Sequence, residues 1–316
     1  MRDEKSREGQ GITMEIITGL DFKLKNSSVS LGKFDGIHVG HRFLLQEVVR
    51  QKHLIPTAFT FENRKGNSKI YTQREKDCIL QGLGIKREII FPFNDKIKKM
   101  APEEFVRRIL IEKMDVRHIC VGTDFHFGKN REGDIHLLEK LQKEYGYTLT
   151  AVPKLTDGNG IISSTRIRGL MDSGKLSEVN RLLGAPYFIM GRVGHGNELG
   201  RKMNMPTANL RVEKDKKLLP YGVYATKVKI RGKEYNSVTN IGKKPTVGEY
   251  AAGVETYIMD FCEDIYGENI QVLFYEFIRP EKKFNSMEEL QAQLEKDKNT
   301  ACCYHKKVAV LTSKKP

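Results

Sequence analysis

Gly32-Lys33-Phe34-Asp35-Gly36-Ile37-His38-Val39-Gly40-His41 lies between a short apolar run, Ser28 to Leu31, and a helical pattern over Phe43 to Val49. A glycine-rich turn from strand to helix is where backbone amides can meet a phosphate. Glycine lets the chain approach an anion closely, and the helix N-terminus supplies unpaired N–H groups. His38 and His41 are three residues apart and can face one ligand. Together they can stabilise charge that builds on ATP phosphates during attack at the α-phosphorus. This makes Gly32, Phe34, Asp35 and Gly40 candidate nucleotide contacts. A His-x-x-His metal pair is the weaker reading, because no carboxylate or thiolate ligands lie nearby in sequence.

Outward from this loop the same rhythm repeats from Met14 to about Gly184. Strand-like runs at Thr57 to Phe61, Glu88 to Phe91 and His118 to Val121 alternate with helical patterns at Glu103 to Ile111 and Ile135 to Tyr145. Such alternation predicts an α/β domain around a parallel sheet. After Gly184 the chain turns to strand-like runs without helices between them, at Tyr187 to Val193, Gly222 to Arg231, Glu255 to Phe261 and Ile270 to Ile278. That texture predicts an antiparallel barrel or sandwich. A final helix is expected over Ser286 to Lys296, where Ser286 and Glu289 match a capping box. The expected organisation is a disordered leader at 1–13, a first domain at 14–184 and a second at 185–312.

The 316 residues suit two domains, and 54 Lys plus Arg against 40 Asp plus Glu leave a surplus of +14. A basic surplus fits phosphate-bearing partners such as nucleotides. No run reaches the roughly 18 apolar residues of a membrane span, so no membrane partner is expected. The five cysteines form no C-x-x-C pair, which suits a reducing, cytoplasmic setting rather than a zinc site or disulfide framework.

Three further groups carry possible chemistry. Ser163-Ser164-Thr165-Arg166-Ile167-Arg168 offers hydroxyls and a guanidinium fork for phosphate oxygens, or an ordinary helix cap with solvated arginines. Asp124-Phe125-His126-Phe127-Gly128 leaves a strand and offers either a flat aromatic pocket or core aromatics. Gly191 to Gly196, Gly200-Arg201-Lys202 and Pro206-Thr207-Ala208-Asn209 combine a basic glycine-rich loop with hard oxygen donors. Gly196 and Arg201 are candidate polyphosphate contacts, and Thr207 and Asn209 candidate Mg²⁺ ligands. Glu255 sits among apolar neighbours on a strand and could take a proton from a substrate hydroxyl, or simply face outward.

These motifs, taken in order, resemble the prokaryotic bifunctional riboflavin kinase/FMN adenylyltransferase (FAD synthetase) family from about Met14 to Asp297. Gly32 to His41 is similar to its nucleotidylyl-transferase signature, Asp124 to Gly128 to D-F-x-F-G, and Ser163 to Arg168 to S-S-T-x-I-R. Pro206 to Asn209 is similar to the kinase signature P-T-A-N, followed by Gly222-Val223-Tyr224, Asn240-Ile241-Gly242 and Tyr266-Gly267. The resemblance implies a Rossmann-like nucleotidylyl-transferase domain followed by a six-stranded antiparallel β-barrel kinase domain. It implies ATP as co-substrate, Mg²⁺ as cofactor, and riboflavin and FMN as substrates. It gives Glu255 the role of catalytic base, His38, His41, Ser164, Thr165 and Arg168 adenylylation roles, and Asp124, Phe125, Phe127, Asn240 and Arg279 flavin contacts.

Two departures from the family pattern stand out. Thr60-Phe61-Glu62-Asn63-Arg64-Lys65 lacks the prolines and histidine of T-F-x-P-H-P, and Asn204-Met205 replace Gly-Phe before Pro206. The first departure favours an alternative in which only the kinase is active and the N-terminal half binds or regulates. An RNA-binding regulator is the remaining alternative, but the basic residues are dispersed and no RNA-binding motif occurs.

Overall fold

A computed structural model describes residues 13–62, 68–195, 206–243 and 253–313. The expected leader up to residue 12, Asn63 to Lys65 of the altered loop, Asn204-Met205, Gly196 and Arg201 lie outside the described residues. The chain forms two compact units, one of residues 1–65 and 76–162, the other of residues 66–75 and 163–316.

The first unit is built on β1 (Glu15–Thr18), β2 (Ser27–Leu31), α1 (Val39–Val49), β3 (Ile55–Phe61), β4 (Arg87–Phe91), β5 (Val116–Gly122) and β6 (Thr148–Val152). Their order in the sheet is β1-β4-β3-β2-β5-β6, all parallel. Every residue of β2 is buried, as expected of a central strand covered on both faces. The chain runs from β2 outward through β3 and β4, then returns to the other side of β2 as β5. This order reversal creates a crevice at the carboxyl ends of β2 and β5, the place where open α/β sheets bind ligands. The Gly32 to His41 loop leaves β2 there and the Thr123 to Gly128 loop leaves β5.

The second unit contains α2 (Ser164–Asp172), α3 (Leu176–Leu183) and six strands: β7 (Phe188–Gly194), β8 (Thr207–Leu210), β9 (Gly222–Ile230), β10 (Lys233–Gly242), β11 (Gly253–Ile258) and β12 (Asn269–Arg279). The helix α4 (Met287–Ser313) ends it. The strands close into an antiparallel barrel in the order β8-β11-β10-β9-β12-β7, so no sheet edge is left open. Four hydroxyls satisfy one another in a buried chain: Thr226 with Ser237 and Thr239 (both 2.8 Å), and Thr239 with Thr256 (2.9 Å). Alternation then puts Val223, Val238, Asn240, Glu255 and Tyr257 on the opposite face, where Ala301 of α4 packs against Val223, Ala225 and Val238. The final helix runs well past the expected Lys296, because its second half is held by this contact.

The sequence reading drew its boundary at 184, whereas contacts group α2, α3 and residues 66–75 with the barrel. The side chain of Asn180 in α3 donates to Phe274 O (2.9 Å) and accepts from Tyr187 N (2.7 Å). Residues 66–75 bring Glu75 to Lys216 in a fully buried ion pair. Lys216 uses all three ammonium protons, on Glu75 Oε2 (2.6 Å), Ile70 O (2.9 Å) and Phe188 O (2.9 Å). These long-range partners have no local signal in the sequence.

Candidate active site

The loop after β2 is bent by three positive φ angles in close succession, at Phe34 (47°), Gly36 (79°) and Ile37 (37°). Non-glycine residues adopt such backbone only when packing compels it. Here Phe34 and Ile37 are buried pegs. The bend delivers His38 to the N-cap of α1, where its Nδ1 accepts from His41 N (3.4 Å). An imidazole nitrogen that accepts carries no proton, so the hydrogen of His38 sits on Nε2. The two rings stack at 3.8 Å, and His41 Nδ1 is buried without a hydrogen-bond partner among the described residues. Gly40 makes room for this, since a Cβ there would stand 3.2 Å from the His38 ring.

Burial pushes His38 down to about 4 and His41 down to about 3, the second helped by the charge His38 would carry. Both are therefore neutral hydrogen-bond donors at pH 7, not the cations that charge stabilisation would first suggest. Stability follows from this. An unfolded chain takes up these protons as pH falls through about 6.5, while the folded chain resists until about 4 and 3. Below 6.5 the unfolded state binds more protons, so acid destabilises the fold and neutral pH retains its full stability. The melting temperature should fall between pH 6.5 and 4, and His41→Asn should flatten that fall in calorimetry.

At the neighbouring strand ends a row of aromatic rings runs Phe93–Phe61 (5.2 Å), Phe61–Phe105 (6.2 Å), Phe105–Phe127 (5.8 Å) and Phe127–Phe125 (5.5 Å). Phe127, expected as a flavin contact, is only 6% exposed and belongs to the hydrophobic core. Phe125, stacked on it, and Phe61 are partly exposed, and Phe93 is exposed. Phe61 and Phe93 carry no site signal in the sequence, because a Phe in a strand run reads as core. Asp124 pairs with Lys154 (2.8 Å).

Ser164, Thr165 and Arg168 belong to the second unit. Ser163 caps α2 by accepting from Arg166 N (3.3 Å), and the Arg168 guanidinium donates to Ser68 O (3.3 Å). The cap reading of this segment is thus realised locally, with Thr165 exposed on the first turn.

Register builds the barrel site. Asn209 of β8 lies opposite Glu255 of β11, which lies opposite Asn240 of β10. Asn240 lies opposite Val223, and Val223 opposite Arg279 of β12. Directly paired residues share a face, so Asn209, Glu255 and Asn240 form one row on three adjacent strands. Thr207, two residues before Asn209, falls on the same face. Asn209 is buried, and its Oδ1 has no hydrogen-bond partner among the described residues. An orphaned carboxamide oxygen is costly unless something occupies it, which fits a bound cation. Glu255 is partly exposed and accessible.

Arg279, expected as a flavin contact, has a carboxylate partner in the structure. Its guanidinium grips Asp297 of α4 through Nε (2.9 and 3.1 Å) and Nη2 (2.7 Å). A fork engaged bidentately by a carboxylate that is 1% exposed holds the helix to the barrel.

The riboflavin kinase family matches residues 183–304 and the FAD synthetase family residues 21–166. A bifunctional riboflavin kinase/FMN adenylyltransferase of Escherichia coli K12 is 36% identical over 86% of this chain and 91% of its own length. The Bacillus subtilis protein of the same name is 34% identical over 88% of this chain and 92% of its own. The chain belongs to the bifunctional riboflavin kinase/FMN adenylyltransferase family. A solved Streptococcus pneumoniae structure titled a macrolide-efflux protein is also similar, with TM-score 0.78 and 30% identity over 90% of this chain and 98% of that one. Among the described residues no helix is long and apolar enough to cross a membrane. In this member of the bifunctional family, the β2 loop lies in the FAD synthetase match and the Asn209–Glu255–Asn240 row in the riboflavin kinase match.

Proposed function

We propose that the barrel unit phosphorylates the terminal hydroxyl of riboflavin's ribityl chain and that the parallel-sheet unit joins the resulting FMN to the AMP of ATP. The chain is a bifunctional enzyme of flavin cofactor synthesis, acting on riboflavin, FMN and ATP. The observation that carries the kinase assignment is the row of Asn209, Glu255 and Asn240 on one face. Glu255 takes the hydroxyl proton as that oxygen attacks the γ-phosphorus of ATP, the bond to the β-phosphate oxygen breaks and ADP leaves. Thr207 and Asn209 would hold Mg²⁺, which supplies charge neutralisation at the transferring phosphoryl group. Among the described residues there is no cluster of three His, Cys, Asp or Glu, which suits a cation shared with substrate phosphates rather than caged by protein.

In the first unit an FMN phosphate oxygen attacks the α-phosphorus and pyrophosphate leaves. His38 Nε2–H and the amides opening α1 donate to the phosphate oxygens as charge shifts onto them. Phe61, Phe93 and Phe125 offer flat apolar surface to the isoalloxazine, with Asp124 at its edge. Gly196 and Arg201 are the further ATP contacts of the kinase. A reducing cytoplasm suits this chemistry and the cysteine content.

Incubation with riboflavin, ATP and Mg²⁺, followed by chromatography, tests both halves: FMN should appear first and FAD after it. Product stopping at FMN favours the kinase-only alternative, and no FMN rejects the kinase. For the metal, Asn209→Ala should raise the Mg²⁺ concentration that gives half the maximal kinase rate, read by titration. An unchanged titration curve removes Asn209 from the metal site.

A further inference from the structure

Thr226 of β9, Ser237 and Thr239 of β10 and Thr256 of β11 are fully buried inside the barrel, where aliphatic side chains would be expected. Their hydroxyls form one unbranched chain, Ser237 to Thr226 (2.8 Å), Thr226 to Thr239 (2.8 Å) and Thr239 to Thr256 (2.9 Å). Such hydroxyls are not needed to fill a core. Valine has nearly the shape of threonine, and replacing both partners of a buried hydrogen bond by apolar groups of the same shape is close to neutral for stability. What the hydroxyls add is geometry, because each has one proton to donate and a short reach, so the chain closes only in one register of the strands that carry it.

Thr239 joins the two halves of the chain. It lies directly opposite Thr256 on β11 and reaches diagonally to Thr226 on β9, whose direct partner is Ser237. Three strands are thereby tied to one another from the inside. Asn240 follows Thr239 and Glu255 precedes Thr256, while Thr256 also lies opposite Ala208, the residue before Asn209. Since side chains alternate along a strand, the Thr239–Thr256 bond sits on the inner face directly behind the Asn209–Glu255–Asn240 row. Among the described residues no hydrogen bond or ion pair holds the Glu255 carboxylate, so its place is set by the backbone, and that backbone is tied from behind by Thr256.

We propose that Thr239 and Thr256 are positioning residues of the kinase, whose hydroxyl bond holds β10 and β11 in the spacing that sets Glu255 at the substrate hydroxyl. The proposal rests on the kinase reading given above. A general base works only within hydrogen-bond reach of the proton it takes, and a displacement of about 1 Å can cost ~10²-fold in rate. Loss of the hydroxyl bond loosens the pairing without slipping it by a residue, so a part of that cost is expected.

Steady-state kinase assays test this. Thr239→Val should lower kcat for FMN formation on the order of tenfold while KM for riboflavin changes little, because the base moves and the flavin contacts do not. Thr239→Ser keeps the hydroxyl and should restore most of the rate. Thr256→Val should act in the same direction as Thr239→Val. Ser237→Ala breaks the far end of the chain, beside no site residue, and should leave kcat unchanged although it also removes a buried hydrogen bond. In a Glu255→Gln background Thr239→Val should add little to the loss, since residues that act through one group are not additive. A wild-type kcat in Thr239→Val and Thr256→Val, an equal loss from Ser237→Ala, or a full further loss in the Glu255→Gln background overturns the positioning role. Valine variants that no longer bind riboflavin would make the chain an element of stability alone, and overturn it as well. A wild-type chain that makes no FMN overturns the kinase reading, and the role of Thr239 with it.

Discussion

Glu255→Gln should bind riboflavin nearly as well as the wild-type protein and convert it to FMN about 10²-fold or more slowly. The substitution keeps volume and planarity, and Glu255 is partly exposed, so no uncompensated buried charge is created. What disappears is an acceptor for the hydroxyl proton. The strand pairings that set Glu255 between Asn209 and Asn240 are backbone contacts, which the side chain does not influence. Binding and chemistry should therefore separate: an almost unchanged KM with a depressed kcat identifies an interaction made in the transition state. Flavin products measured at saturating riboflavin decide it. A retained kcat would leave Glu255 as a strand residue that happens to face the site.

The reason Glu255 could be suspected but not placed lies in the range of the forces involved. The β2 loop is legible because its chemistry is local: glycines, histidines and the helix start lie within ten consecutive residues. The barrel row joins β8, β11 and β10, and only their register brings 209, 255 and 240 together. A slip of one residue would turn Glu255 to the other face. Alternation of apolar residues marked β7, β9, β11 and β12. It passed over β10, in which buried Ser237 and Thr239 read as polar although they are satisfied inside the barrel. The edge strand β1 was missed for a different reason, since three of its four residues are exposed and carry little pattern. Phe127 and Arg279 show the limit for single residues. A ring at a strand end and an arginine before a turn fit a ligand as readily as a core or a carboxylate. Their neighbours, Phe105 for one and Asp297 for the other, are far away in the sequence and leave no local signal.

His38→Ala should abolish most FAD formation while FMN formation continues. The imidazole holds two positions at once: its Nδ1 caps α1, and its Nε2–H is left to donate. Alanine does neither. Loss of one preorganised donor to a developing oxyanion costs about 10²- to 10³-fold in rate. Loss of the cap costs about 1 kcal/mol of helix stability, too little to unfold the unit. The altered residues Asn63 to Lys65 do not supply the His38 donor, so their departure from the family pattern does not remove this site. They can still misplace the FMN phosphate, and a small error in nucleophile position costs ~10²-fold. Wild-type FAD synthesis should therefore be detectable but slow relative to the kinase. His38→Gln separates the contributions, because its amide N–H can donate from a similar reach, and it should recover part of the rate that alanine loses. The kinase should be unaffected in both variants, since Asn209, Glu255 and Asn240 belong to the other compact unit. FAD produced at the wild-type rate by His38→Ala, from FMN, ATP and Mg²⁺, would mean that adenylyl transfer does not use this loop.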